Sequence, residues 1–328
     1  MAKSLLGEVE PVPLAAFLYL GSGLGLLIIK FFQYINHQGS NNEAQINKSD
    51  YLWLAGAILA GGVAAPIILL ISLQSTPAAT ASLLLCFEGV ATTLVAFIAF
   101  KESISYRAWW AIALITLASI FLSINLKADW GLSLGALGII VACVLWGMDN
   151  NFTRNISSKD PLSIVTIKGL AAGVFSLGLA IIIGNKIPGW KVILSAMLLG
   201  SLSYGLSIVL FIHAMRGLGV ARTSALFATA PITGIIISII LFKELPSWLF
   251  LVAVPVMFIG TMLLVNENHE HEHIHTCIAH EHSHEHDDHH QHEHENKYVQ
   301  KHSHVHRHDE LVHTHHHMPD LSHRHIHP

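Results

Sequence analysis

Histidine is the residue type best placed to do chemistry in this chain, because 23 of its 25 histidines fall within residues 266–328. They recur mostly as His-x-His: His269, His271, His273, His275, His280, His282, His284, His286, His289, His290, His292 and His294, then His302, His304, His306, His308, His313, His315, His316, His317, His323, His325 and His327. Neutral imidazole is a common ligand for divalent transition metals. The interspersed Asp and Glu can add oxygen ligands and offset the metal's charge. The pattern predicts a tail that binds Zn, Ni, Co or Cu, with the preference among them set by the general affinity order. Its apolar content is too sparse for a core, so it reads as a disordered appendage. The tail carries 12 acids and 4 bases against 10 and 14 in residues 1–265, so with His neutral it is at −8 and the body at +4.

A second set of reactive groups is embedded in apolar sequence, where ionisable residues are costly and mark functional sites. Glu88 sits mid-segment in "LLLCFEGVATT". A buried carboxylate tends to take up a proton, so Glu88 could carry a coupling proton, pair a cationic solute, or simply be satisfied by a neighbouring helix. Lys168, in "IVTIKGLAAG", is a basic residue well inside the body. It is a candidate counter-ion for Glu88, or it snorkels to the interface. Trp146 and Asp149, in "LWGMDNN", fall at a segment end, which suggests an interface anchor and a gate residue. Tyr204 lies among small residues in "GSLSYGLS" and could line a cavity. His213, one turn before Arg216, reads as packed or hydrogen-bonded rather than a ligand.

The elements that must position these groups are membrane helices. The chain is 52% hydrophobic and 12% charged, with a mean hydropathy of +0.52; soluble domains carry about 25% charged residues. A bilayer core needs roughly 20 apolar residues per helix. Nine segments qualify: 13–35, 51–73, 79–100, 107–125, 131–149, 161–184, 190–214, 221–242 and 246–265. The fold class is therefore an all-α polytopic membrane protein. The three cysteines show neither CxxC spacing nor a disulfide framework. No P-loop, HExxH or nucleophile motif is present, so neither ATP-driven pumping nor an enzyme is expected. Nothing points to nucleic acid. One set of loops holds Lys30, Lys48, Lys101, Arg107, Arg154, Lys159, Arg216 and Arg222; the other holds Lys3, Lys127, Lys186, Lys191 and Lys243. The positive-inside bias puts the larger set, and the tail, in the cytoplasm. The acidic tail is then expected to fold back over Arg154, Lys159, Arg216 and Arg222.

An internal repeat organises the spans. "TASLLLCFEGVATTLVAFIAFKE", from Thr80, aligns with "RTSALFATAPITGIIISIILFKE", from Arg222, at an offset of 142. Phe100-Lys101-Glu102 thereby meets Phe242-Lys243-Glu244. The copies stand five spans apart, an odd number, so the second lies upside down; inverted repeats are a common construction of secondary transporters. "EPVPLAAFLYLGSGLGL", from Glu10, aligns with "DPLSIVTIKGLAAGVFSL", from Asp160, at an offset of 150. The second half has a further span before this point, 131–149, whose partner would precede Met1. The first half thus lacks one helix, and "MAKSLLGEVEP" reads as the linker that would follow it. The domains are 1–126, the first repeat; 131–265, the second; and 266–328, the tail.

These segments, with "LWGMDNNFTRNISSKDPLSIVTIKGL" and "YGLSIVLFIHAMRGLGVARTSALFATAPITGIIISIILFKE", resemble an EamA-domain member of the drug/metabolite transporter superfamily, from a bacterial branch with a His-rich C-terminal tail. The resemblance implies ten helices as two inverted five-helix halves, cytoplasmic termini, and export or exchange of small molecules through a central cavity. Two departures stand out: the first helix is missing, and the usual Glu-Pro of the fourth family helix is Glu88-Gly89, whereas the second half keeps Pro231. The function expected is a secondary exporter of small metabolites in the bacterial inner (plasma) membrane, with a metal-binding cytoplasmic tail. A divalent-cation exporter (Ni, Co or Zn) and a non-transporting membrane-anchored metal store are the alternatives. Expected partners are the bilayer, a small-molecule or ion substrate, divalent metal and a second copy in a homodimer. No cofactor is required by the body.

Overall fold

A backbone in hydrocarbon must satisfy its own polar groups, so the apolar segments fold as helices. The computed structural model describes residues 2–35, 43–101, 104–123, 133–227, 230–243 and 248–265, with the backbone alone of 270–275, 278–284, 302–308, 311–316 and 325–326. After a short α1 (Ala2–Leu5) come α2 (Pro11–Ile35), α3 (Tyr51–Ala57) and α4 (Ala65–Ser75), the last two joined by a π-helical segment, Ile58–Ala64. Then follow α5 (Ala78–Leu84), α6 (Phe87–Phe100), α7 (Tyr106–Ser123), α8 (Leu134–Ile156) and α9 (Pro161–Ile183). A second π segment, Ser201–Leu206, joins α10 (Trp190–Gly200) to α11 (Ser207–Leu218), and α12 (Val220–Phe227), α13 (Ala230–Phe242) and α14 (Trp248–Val265) complete the bundle.

Among the described residues seven helices are long and apolar enough to cross a membrane, and two further apolar helices, Thr233–Phe242 and Trp248–Leu263, are shorter. The last two of the nine segments read from the sequence, 221–242 and 246–265, are described only in part. In the 221–242 segment α12 and α13 lie on either side of residues outside the described set. A difference is at α8, which runs on past residue 149 to Ile156. "DNNFTRN" is polar enough to look like a loop, yet it is two further turns of helix. Asp160 ends that connection by capping α9, its carboxylate accepting from Leu162 N and Ser163 N ahead of Pro161.

The repeat is visible in the backbone itself. Lys101 (φ 56°) and Lys243 (φ 52°) are the described non-glycine residues in the left-handed region, and they are the aligned lysines of the two FKE motifs. Each ends its helix in a left-handed cap, the Lys101 amide donating five residues back to Ala96 O and the Lys243 amide four back to Ile239 O.

Across the halves α2 packs closely on α9 and α10. A Cβ on Gly21 would lie 2.1 Å from Met197 O, and one on Gly200 1.9 Å from Leu18 O. Only glycine lets these backbones meet, the usual device of helix packing in lipid. The core formed by α4 to α8 and α14 buries Leu84, Ile115 and Ile139 at 0–1% exposure.

The tail departs from the expected absence of secondary structure. β1 (Glu270–His275) pairs antiparallel with β4 (Leu311–His316) and β5 (His325–Ile326), and β2 (Ile278–His284) pairs antiparallel with β3 (His302–His308). A His-x-His pattern has a period of two, which is the strand repeat. The tail histidine side chains, and with them the expected metal ligands, lie outside the described residues.

Candidate functional site

Four helices and one π segment bring the buried polar groups of the bundle together. Lys168, on α9 and 2% exposed, donates to Asp149 Oδ2 on α8, itself 5% exposed. Thr153, one turn on, donates its hydroxyl to Asp149 Oδ1 at 3.1 Å. Glu88, in the first turn of α6, accepts at Oε1 from Asn150 Nδ2 at 2.9 Å. The same amide reaches Thr92 Oγ1 at 3.1 Å, while Asn151 Nδ2 donates to Thr92 O at 3.0 Å and to Gly147 O at 2.8 Å. Half-buried Glu88 and the buried Asp149 and Lys168 thus stand together inside the bundle, each hydrogen-bonded, the condition for keeping charge there.

The π segment Ile58–Ala64 closes one side. Its Gly61 carbonyl accepts twice, from Tyr19 OH on α2 at 2.7 Å and from Trp146 Nε1 on α8 at 3.2 Å. A π turn shifts the backbone hydrogen bonds and frees a carbonyl for such use. Gly61 has no alternative here, because a Cβ would lie 1.9 Å from Asp149 Oδ2. The Tyr19 ring stacks obliquely on Tyr204 of the second π segment, with centroids 5.0 Å apart.

At one end of the bundle a separate network ties residues 43–50 to the α8–α9 connection. Arg216, in the last turn of α11, pairs with Glu43 at 3.0 Å and donates to Ser157 O and Lys159 O, both at 2.7 Å. Lys159 faces Asp50 at 4.0 Å, and Lys30 bonds Asp160 at 3.4 Å and Ser163. A cavity of about 460 Å³ opens beside Lys30, Glu43, Asp160 and Ser163.

This architecture has known counterparts. The EamA-like transporter family matches residues 1–124 and again 133–266, nearly all of the helical body. The chain belongs to that family. An "Uncharacterized transporter" of Methanothermobacter thermautotrophicus is 27% identical over 258 residues, 74% of this chain and 74% of its own length. A solved crystal structure superposes with a TM-score of 0.58 at 17% identity, over 80% of this chain and 91% of the other, which shows a shared fold. The protein is therefore a multi-pass membrane transporter with two EamA repeats.

In this EamA-like transporter the five candidate side chains converge, but not as the sequence suggested. Lys168 is neither the partner of Glu88 nor snorkelled; it is buried against Asp149. Asp149 is not at a helix end, because α8 continues beyond it. Trp146 faces Gly61 rather than the interface. Tyr204 stands in a π turn beside Tyr19, and His213 is exposed. Sequence reasoning missed Tyr19, Gly61 and Thr92. The Gly-Gly pair in "AGAILAGGVAAP" was a signal for close approach, but nothing there named the carboxylate it admits. Among the described residues no three His, Cys, Asp or Glu side chains gather as a metal site. Of the four basic residues expected to hold the acidic tail, Lys159 and Arg216 are engaged within the body. Their positive charge is already matched locally, which weakens that attraction.

Proposed function

We propose that the protein is a secondary exporter of small polar metabolites in the bacterial inner membrane, and that Glu88 carries the coupling proton next to a solute site built on Asp149 and Lys168. The observation that carries this reading is the cluster of half-buried Glu88 with buried Asn150, Asp149 and Lys168, flanked by Tyr19, Trp146 and Tyr204. Three ionisable groups within an apolar bundle are expensive to keep. A carboxylate beside a fixed ion pair can load a proton on one side and release it on the other, while the pair offers a donor and an acceptor to an incoming polar solute. Glu88→Gln removes the proton site and keeps the acceptor for Asn150. In proteoliposomes with an imposed pH gradient, this variant is expected to lose gradient-driven transport at least tenfold while solute exchange without a gradient persists. Equal loss of both would place Glu88 in solute binding instead of coupling.

The tail belongs to this reading as a cytoplasmic metal sensor or buffer. Its strand register sets His280 opposite His306, His282 opposite His304 and His284 opposite His302, and directly opposite positions have Cβ atoms about 4.5–5.5 Å apart. Ni²⁺ or Zn²⁺ is expected to bind the full chain at pH 7.5 and to be released at pH 5.5, because His protonates below about 6.5 and a protonated imidazole is no ligand. Equilibrium dialysis of the full chain against a form ending at Val265 checks this. Equal metal uptake by the two would remove the tail from the account.

A further inference from the structure

The two π segments occupy matching places in the two repeats. Gly61 and Tyr204 are 143 positions apart, as are Gly62 and Gly205 and the segment starts, Ile58 and Ser201. That offset falls between the 150 of the Glu10 and Asp160 copies and the 142 of the FKE copies, so the π turns are repeat partners. Such turns are rare, and a duplicated pair is a built feature rather than an accident of packing. Their freed carbonyls are treated alike. Gly61 O accepts from Tyr19 OH at 2.7 Å, and Tyr204 O accepts from Ser22 Oγ at 2.8 Å. Both donors stand one turn apart on α2, the helix that meets α9 and α10 through glycine contacts.

We propose that the two π turns are the paired hinges of the transport movement, and that Tyr19 and Ser22 are positioning residues that lock both hinges to α2 in the state seen here. Interrupted helices at corresponding positions of two repeats mark the working centre of transporters of this construction, and π turns are among the places where helices kink. The same state has residues 43–50 fastened to Arg216 and Lys159, so releasing the locks favours the form in which that end opens. The inference rests on the chain being a transporter and not on which solute it carries.

The test uses the full chain in lipid nanodiscs without solute. Spin labels at Leu52 and Leu210 report the separation of α3 from α11, and labels at Gln74 and Lys191 that of α4 from α10. Tyr19→Phe and Ser22→Ala are each expected to shift the ratio of the two distance populations roughly three- to tenfold, the effect of losing one hydrogen bond. The α3–α11 distance lengthens and the α4–α10 distance shortens. Ser22→Thr, which keeps the hydroxyl, is expected to restore the wild-type ratio. Both changes leave the ring or the backbone in place, so monodisperse protein with a normal melting temperature is expected. Unchanged distributions in both variants would overturn the proposal, and so would a shift of equal size in Ser22→Thr. Because no solute is present, failure here is separable from failure of the Glu88 reading, which the pH-gradient assay addresses alone.

Discussion

Replacing Lys168 by Met is expected to destabilise the folded protein by about 3–5 kcal/mol, the effect of leaving one partner of a buried ion pair without the other. Among the described residues, Asp149 would then sit 5% exposed with the Thr153 hydroxyl as its remaining side-chain donor. Asp149→Asn alone is expected to be comparably harmful, because Lys168 is 2% exposed and its ammonium loses the carboxylate it donates to. Combining the two changes removes both charges. A neutral pair of similar volume often matches a buried ion pair in stability, so the double variant is expected to melt within a few degrees of wild type. Transport should not return with it. Thermal melts in detergent and uptake in proteoliposomes read the two properties separately. Recovery of transport in the double variant would show that the pair is structural, and that solute recognition lies elsewhere.

That pair is also where the sequence was hardest to read. Hydropathy alone ends the fifth span near residue 149, because Asp149, Asn150, Asn151 and Thr153 look like the start of a loop. In the fold α8 continues, and these same residues are buried because α6 and α9 offer them polar partners. Hydropathy sums side chains one helix at a time and has no record of a partner on another helix. Glu88 was visible as an isolated charge, yet its acceptor role toward Asn150 depends on the approach of α6 to α8. The repeat was more legible, since the FKE motif is a local device: one lysine in a left-handed cap at the same end of each copy. The π turns left no trace in composition, because they change which carbonyl an amide meets and not which residues are apolar. The tail shows the opposite case. Its composition raises an expectation of metal binding, while its strand pairing follows from a period of two that a compositional reading passes over.

Gly61→Ala is expected to be a damaging single-methyl change aimed at the polar cluster itself, whereas the clashes at Gly21 and Gly200 meet backbone of neighbouring helices. The added Cβ would stand 1.9 Å from Asp149 Oδ2 and 2.2 Å from Asp149 Cγ, far inside any contact distance. The carboxylate must then rotate off Lys168, or the π turn must shift and give up its bonds from Tyr19 and Trp146. Either route dismantles the cluster. Overpacking of this kind costs about 1–3 kcal/mol, and breaking the ion pair adds to it, so transport is expected to fall below a tenth of wild type. Gly178→Ala, on α9, is the control: nothing lies within 4 Å of its added methyl, and no loss is expected. The two routes can be told apart by coupling, because residues that act through one contact are not additive. If the methyl acts by pushing Asp149 off Lys168, then adding Gly61→Ala to Lys168→Met should lower the melting temperature little further. If it acts by displacing the π turn, the two losses should sum, and Gly61→Ala should reproduce the altered hinge distances of Tyr19→Phe. A melting temperature and transport rate equal to those of Gly178→Ala would mean that Asp149 does not approach Gly61 as described, and the cluster would have to be redrawn.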